Sequence, residues 1–230
     1  LLFKLSLVGH FYNTFVPGAV GGDVLRAAVS TEFYTKKNTS YLVVFMERLL
    51  GLSCLCLILA FGLFAQPKTS SNTTIIVSGV GILGILILVT VLFNWQKLLG
   101  FAAPYLDGIS QRARVVNALL FSIVGQCMTL LLFAFICQQF GITLSLAVYC
   151  FIFPLGLLAS VLPISILGAG ARELALISLL TSQGSVSEVN AIGVSTAYLG
   201  CLWFLGIVGG VIHLTSRELV PKVIDSDTTQ

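Results

Sequence analysis

Residues 115–171 read VVNALLFSIVGQCMTLLLFAFICQQFGITLSLAVYCFIFPLGLLASVLPISILGAGA, without a single Asp, Glu, Lys or Arg. A membrane-spanning helix needs about 20 mostly apolar residues to cross roughly 30 Å of hydrocarbon, so this stretch has room for two. Shorter charge-free runs occupy 49–67, 69–96, 174–187 and 189–216. In the chain of 230 residues, hydrophobic types make up 57% and charged types 9%, and the mean hydropathy is +1.03. A soluble domain of this size needs far more charge to cover its surface. The sequence therefore predicts an all-α fold, a polytopic bundle of transmembrane helices.

Working outward, residues 1–16 read as an apolar helix interrupted at Pro17, and 18–40 as a Gly-rich, then polar connection ending at Lys36 and Lys37. Helices are expected at 41–65, 75–93, 117–140, 144–162 and 190–214, with a loop at 94–116 and a tight turn at Gly141. Residues 163–183 form a broken segment that either crosses or re-enters the membrane. The loops at 17–40 and 94–116 carry Arg26, Lys36, Lys37, Lys97, Arg112 and Arg114, which assigns both to the cytoplasmic side. The tail, with Arg217 and Lys222, joins them only if 163–183 crosses. The whole reads as one membrane domain, 1–230, with a first repeat at about 1–93 and a second at about 117–214. Residues 215–230 form a polar tail. A start at LLFKLSL, without methionine or a signal-peptide layout, leads us to expect missing N-terminal spans.

Several function classes are disfavoured. A net charge of +3, dispersed along the chain, does not suggest a nucleic-acid partner. All six cysteines lie inside apolar runs, and Cys54-x-Cys56 has the wrong spacing for CxxC or zinc chemistry, so no metal or cofactor is expected. No phosphate loop of the GxxxxGK[ST] type is present. Nothing marks a nucleophile–base pair, so no catalytic residue is assigned and a non-enzymatic protein is expected.

The same punctuation occurs twice. PGAVGGDVLR carries Pro17, Gly21, Gly22 and Arg26; PISILGAGAR carries Pro163, Gly168, Gly170 and Arg172. Each proline follows an apolar stretch and each arginine precedes a helical-looking segment. Prolines interrupt helices, glycines admit close backbone approach, and a helix that restarts presents free N–H groups and a positive dipole end. Such an end attracts an anion. Broken helices at matching places in two repeats point to a transporter site.

Charges among apolar residues sharpen that expectation. They are Asp23, Arg26, Glu47, Arg48, Arg172 and Glu173. A bare charge near the bilayer centre costs at least ~2.5–3.5 kcal/mol, so these groups pair or line a wet cavity. Asp23 and Arg26 are spaced to share a helix face. Glu47-Arg48 and Arg172-Glu173 are adjacent, so each pair is expected to splay around its helix and find partners elsewhere. Arginine suits bidentate binding of phosphate.

The pattern N-x3-P-x3-GGD-x2-R (Asn13, Pro17, Gly21, Gly22, Asp23, Arg26), followed by Glu47-Arg48, resembles the lysylphosphatidylglycerol synthase transmembrane region family. LP-x4-GAGARE (Leu162, Pro163, Gly168, Gly170, Arg172, Glu173) resembles that family's second signature. The resemblance covers essentially the whole chain. It implies a flippase-like protein of the bacterial cytoplasmic (inner) membrane, with membrane lipid as its partner; in fused members a separate soluble domain performs the aminoacyl transfer, and none is read in these 230 residues. One departure is Tyr198, in STAYLGCLW, where members commonly carry arginine.

Two functions follow. In the first, the chain translocates an anionic or lipid-linked phosphate head group, bound by Arg26 and Arg172 beside Gly21, Gly22, Gly168 and Gly170. Asp23, Glu47, Arg48 and Glu173 would form supporting ion pairs, and Pro17 and Pro163 the helix breaks. In the second, it is a non-transporting partner or scaffold of a lipid-modifying or glycosyl-transferring enzyme. The residues also admit plainer roles. Arg26 and Arg172 suit structural ion pairs or snorkelling cations, Glu47-Arg48 an interfacial helix start, and Asp23 a cap on the helix after Gly22. His10 and His213 suit packed or interfacial positions, and the glycines at 79, 81, 84, 206, 209 and 210 close helix packing.

Overall fold

The computed structural model describes residues 2–15, 22–23, 27, 37–65, 79, 82, 84–86, 89, 111–160, 170–183 and 186–215. The helices described along their length are α1 (Leu2–Phe15), α2 (Lys37–Phe64), α3 (Gln111–Gln139), α4 (Leu146–Ala159), α5 (Ala171–Thr181) and α6 (Glu188–Thr215). The described residues contain no strand, which agrees with the all-α expectation. Of the span expected at 75–93, residues 79, 82, 84–86 and 89 are described, and all are helical.

Among the described residues, three helices are long and apolar enough to cross a bilayer, with spanning windows at Glu47–Phe64, Leu119–Gln139 and Glu188–Thr215. Two of them start earlier than their composition suggests. α2 takes in the polar residues 37–40, and α3 takes in Arg112 and Arg114 from the expected loop at 94–116. Lys, Arg and Gln are strong helix formers, so polarity marks where the hydrocarbon ends, not where the helix does. With 29 residues, α3 is about 44 Å long, well beyond the hydrocarbon thickness. α4 and α5 are the opposite case. Their 14 and 11 residues give about 21 and 17 Å, too short to cross unaided.

The chain divides into two compact units. The first comprises Leu1–Val44, Ile166–Gly168 and Leu199–Gln230. Within it, α1 lies against the C-terminal half of α6 along a seam of glycines. A Cβ at Gly209 would run into the Leu7 carbonyl, and one at Gly210 would stand 2.9 Å from the Phe11 ring. Lipid tails are as apolar as leucine, so helices here gain little from burial and much from close contact, which small residues permit. Two histidines tie the same seam. His10 Nε2 lies 3.3 Å from the Leu202 carbonyl oxygen, and the Tyr12 hydroxyl 3.2 Å from His213 Nε2. Both histidines are thus packed, as are Gly206, Gly209 and Gly210.

The second unit comprises Phe45–Ser165 and Ala169–Tyr198. α3 ends in a Schellman turn, in which Gly141 takes φ 71°. Its N–H donates to Gln138 O at 3.0 Å, and Ile142 N–H donates to Cys137 O at 2.9 Å. The Tyr149 hydroxyl then donates to Ile142 O at 3.0 Å and accepts from Leu144 N–H at 3.3 Å, closing the turn onto α4. α4 continues through Pro154, which cannot donate to the Cys150 carbonyl. Gly62 of α2 sits against that carbonyl, where an added Cβ would be 2.9 Å from the oxygen. Gly156 of α4 likewise makes room for Leu176 of α5. At the centre of the unit, Phe133, Tyr149, Phe153 and Tyr198 form a cluster of tilted and edge-to-face rings. Outside it, Phe121, Met128, Leu131 and Phe135 of α3 remain exposed, an apolar surface suited to lipid.

Candidate functional site

Glycine sets the geometry at the start of α5. Gly170 adopts φ 112°, ψ −76°, a region that L side chains avoid, and no described residue lies within 4 Å of where its Cβ would be. Backbone freedom requires glycine here. Its carbonyl opens the helix by accepting Leu174 N–H at 2.9 Å. Its N–H, one of the orphan donors of a helix start, goes to Glu173 Oε2 at 2.6 Å. The other oxygen, Oε1, accepts from Arg172 Nε at 2.8 Å and also from Nη2. One carboxylate therefore bridges the helix N-terminus and a guanidinium.

This corrects the expectation that Arg172 and Glu173 splay apart. Adjacent side chains diverge in a helix interior, but the third residue of a helix can fold back to the N-cap. Glu173 does so, and the long Arg172 side chain reaches sideways to meet it. The pair is largely buried, with side chains 8% and 14% exposed. Arg172 also lies over the Tyr198 ring, its Cζ 5.3 Å from the centroid. One turn before Tyr198 on α6, Ser195 keeps a buried hydroxyl without a hydrogen-bond partner.

In the first unit, the counterpart stretch is described at Gly22, Asp23 and Ala27. Gly22 is buried so tightly that a Cβ would strike the Gly9 carbonyl and the Asn13 side chain. Asn13 organises the contact: its Oδ1 accepts Gly22 N–H at 2.9 Å, and its Nδ2 donates to Asp23 Oδ1 at 3.4 Å. The amide of Asn13, rather than the Asp23 carboxylate, takes the Gly22 N–H. Glu47 and Arg48 lie about 15 Å along α2 from its first residue, both exposed. Pro17, Gly21, Arg26, Pro163 and Gly168 lie outside the described residues.

Sequence reasoning gave Asn13 and Tyr198 no role at the site. Asn13 stood only as a letter of the first pattern, and Tyr198 as a departure from the family. An isolated amide inside an apolar helix was the available signal for the first. For the second there was none, because pairing between α5 and α6 cannot be read from spacing. Among the described residues, no group of three His, Cys, Asp or Glu is arranged to hold a metal ion.

Comparison with known proteins gives one match. The family model described as Lysylphosphatidylglycerol synthase TM region matches residues 1–210. Neither a curated protein nor a solved structure matches the chain.

Proposed function

The chain belongs to the Lysylphosphatidylglycerol synthase TM region family, and from that premise we propose that this integral membrane protein translocates an anionic or lipid-linked phosphate head group. The observation that carries the reading is the position of the Glu173 carboxylate. It is held at once by the N–H at the head of α5 and by a buried guanidinium. A phosphate presents the same kind of oxygen acceptors, and guanidinium suits it bidentately. The protein's own anion thus occupies the place a head group would take.

In this reading the chain has two repeats, each with a broken helix, interrupted at Pro17 and Pro163. Arg172 is the phosphate ligand of the second and Arg26 that of the first, with Gly21, Gly22, Gly168 and Gly170 admitting the ligand to backbone. Asp23, Glu47, Arg48 and Glu173 form supporting ion pairs around the site. An incoming phosphate displaces Glu173 from Arg172, which spares the guanidinium from standing bare in hydrocarbon. The acyl chains stay in lipid, and no covalent bond is made or broken.

The test is translocation in proteoliposomes. Labelled anionic, aminoacylated and isoprenoid-linked lipids are offered beside inorganic phosphate, which separates a lipid head group from the free anion. One lipid class should move, and Arg26→Ala and Arg172→Ala should each stop it while the protein remains folded and inserted. Normal transport by either variant refutes the assignment of that arginine. If no lipid moves and the protein co-purifies with a lipid-modifying enzyme, the scaffold reading replaces this one.

A further inference from the structure

We propose that Tyr198 is the positioning residue of the anion site, its ring holding the Arg172 guanidinium in the orientation that receives phosphate. The inference rests on the reading of Arg172 as phosphate ligand. A guanidinium has two kinds of surface. Its edge carries five N–H donors that bind acceptors in the plane, and its faces carry none. Glu173 Oε1 uses the Nε side of the edge and one donor of Nη2. The remaining three donors are all on the two Nη atoms. A ring that supports the cation by its π-system takes none of them, so Tyr198 does not compete with a ligand, whereas Glu173 does.

The platform is rigid. Tyr198 is 2% exposed and Arg172 7%. Edge-to-face contacts fix the Tyr198 ring against Phe133, at 6.0 Å and 90°, and against Phe153, at 5.8 Å and 89°. Tyr149 buttresses Phe133 in turn, at 6.4 Å and 87°. Arginine has one of the largest rotamer entropies of any side chain. A cation held in one orientation before the ligand arrives does not lose that freedom on binding, and the gain appears as affinity. A desolvated guanidinium over an aromatic face also gains more than an exposed one.

The test replaces Tyr198 in the intact protein by phenylalanine, by leucine and by trifluorinated phenylalanine. Fluorination keeps the ring's shape but withdraws the electron density that attracts a cation. Dioctanoyl phosphatidylglycerol is titrated into each purified protein in detergent, and transport is followed in phosphatidylglycerol vesicles. Tyr198→Phe should stay within about twofold of wild type, since the ring is kept. Tyr198→Leu and the fluorinated variant should raise the half-saturating concentration roughly fivefold to thirtyfold with little change in maximal rate. Equal affinity in the phenylalanine and fluorinated variants overturns the proposal, and that pair decides the matter if Tyr198→Leu does not fold. Arg172→Ala separates the two inferences. If it binds and transports as wild type does, the reading of Arg172 falls. If it loses binding while the fluorinated ring has no effect, the role of Tyr198 alone falls. A wild-type protein that does not bind the lipid overturns both.

Discussion

 Replacing Glu173 by alanine removes the anion that bridges Gly170 and Arg172, and leaves the largely buried Arg172 without that counter-charge. Its side chain is only 8% exposed, and that of Glu173 14%. Breaking a buried pair by removing one partner costs about 3–5 kcal/mol, and the partial exposure of Glu173 favours the lower end. A loss of about 3 kcal/mol lowers the melting temperature of a chain this size by about 6–12 °C. Glu173→Gln keeps one acceptor and loses the charge, so it should fall between the alanine variant and wild type. The assay is thermal unfolding in detergent, with and without dioctanoyl phosphatidylglycerol. At a hundredfold excess over its dissociation constant, a ligand adds about 2.7 kcal/mol to stability. In Glu173→Ala the lipid phosphate fills a vacant place and recovers most of the loss. In wild type it must first displace Glu173, so its shift is smaller. An alanine variant that melts with wild type, or a lipid shift equal in both proteins, refutes the reasoning.

Two glycines of α6 make a matched pair. Gly209→Ala forces a methyl into the Leu7 carbonyl and should cost about 1–3 kcal/mol; Gly200→Ala meets no described residue within 4 Å and should gain about 0.5–1 kcal/mol of helix propensity, both read by thermal unfolding. At the α3–α4 turn, Gly141→Ala meets no described residue within 4 Å but must hold φ 71°, so it should lose about 1–2 kcal/mol in the same assay. Gly141→Asn should lose less, because Asn tolerates that conformation.

The helices were legible because apolar runs long enough to span leave few other folds open. The turn at Gly141 was legible for the same reason, a glycine between two such runs. Helix starts were not, since Lys37 and Arg112 continue a helix into the interface as readily as alanine does in its interior. At the site, the importance of Gly170, Arg172 and Glu173 could be read from charge placed among apolar residues. Their arrangement could not, because the fold-back of Glu173 depends on the dihedral angles of Gly170. Tyr198 and Asn13 needed tertiary structure, since each acts on residues that the sequence does not bring near it.

The turn between α3 and α4 has a bearing on how the protein enters the membrane. Its amides at Phe140, Gly141, Ile142 and Leu144 all donate to the protein itself, and Phe140 O accepts from Asn190 Nδ2 at 3.2 Å. Those four amides need no water, and hydrocarbon penalises only the groups left unpaired. The turn therefore lowers the cost of bringing α3 and α4 together into lipid. A change that breaks the Tyr149 latch should then appear first as a defect in insertion yield.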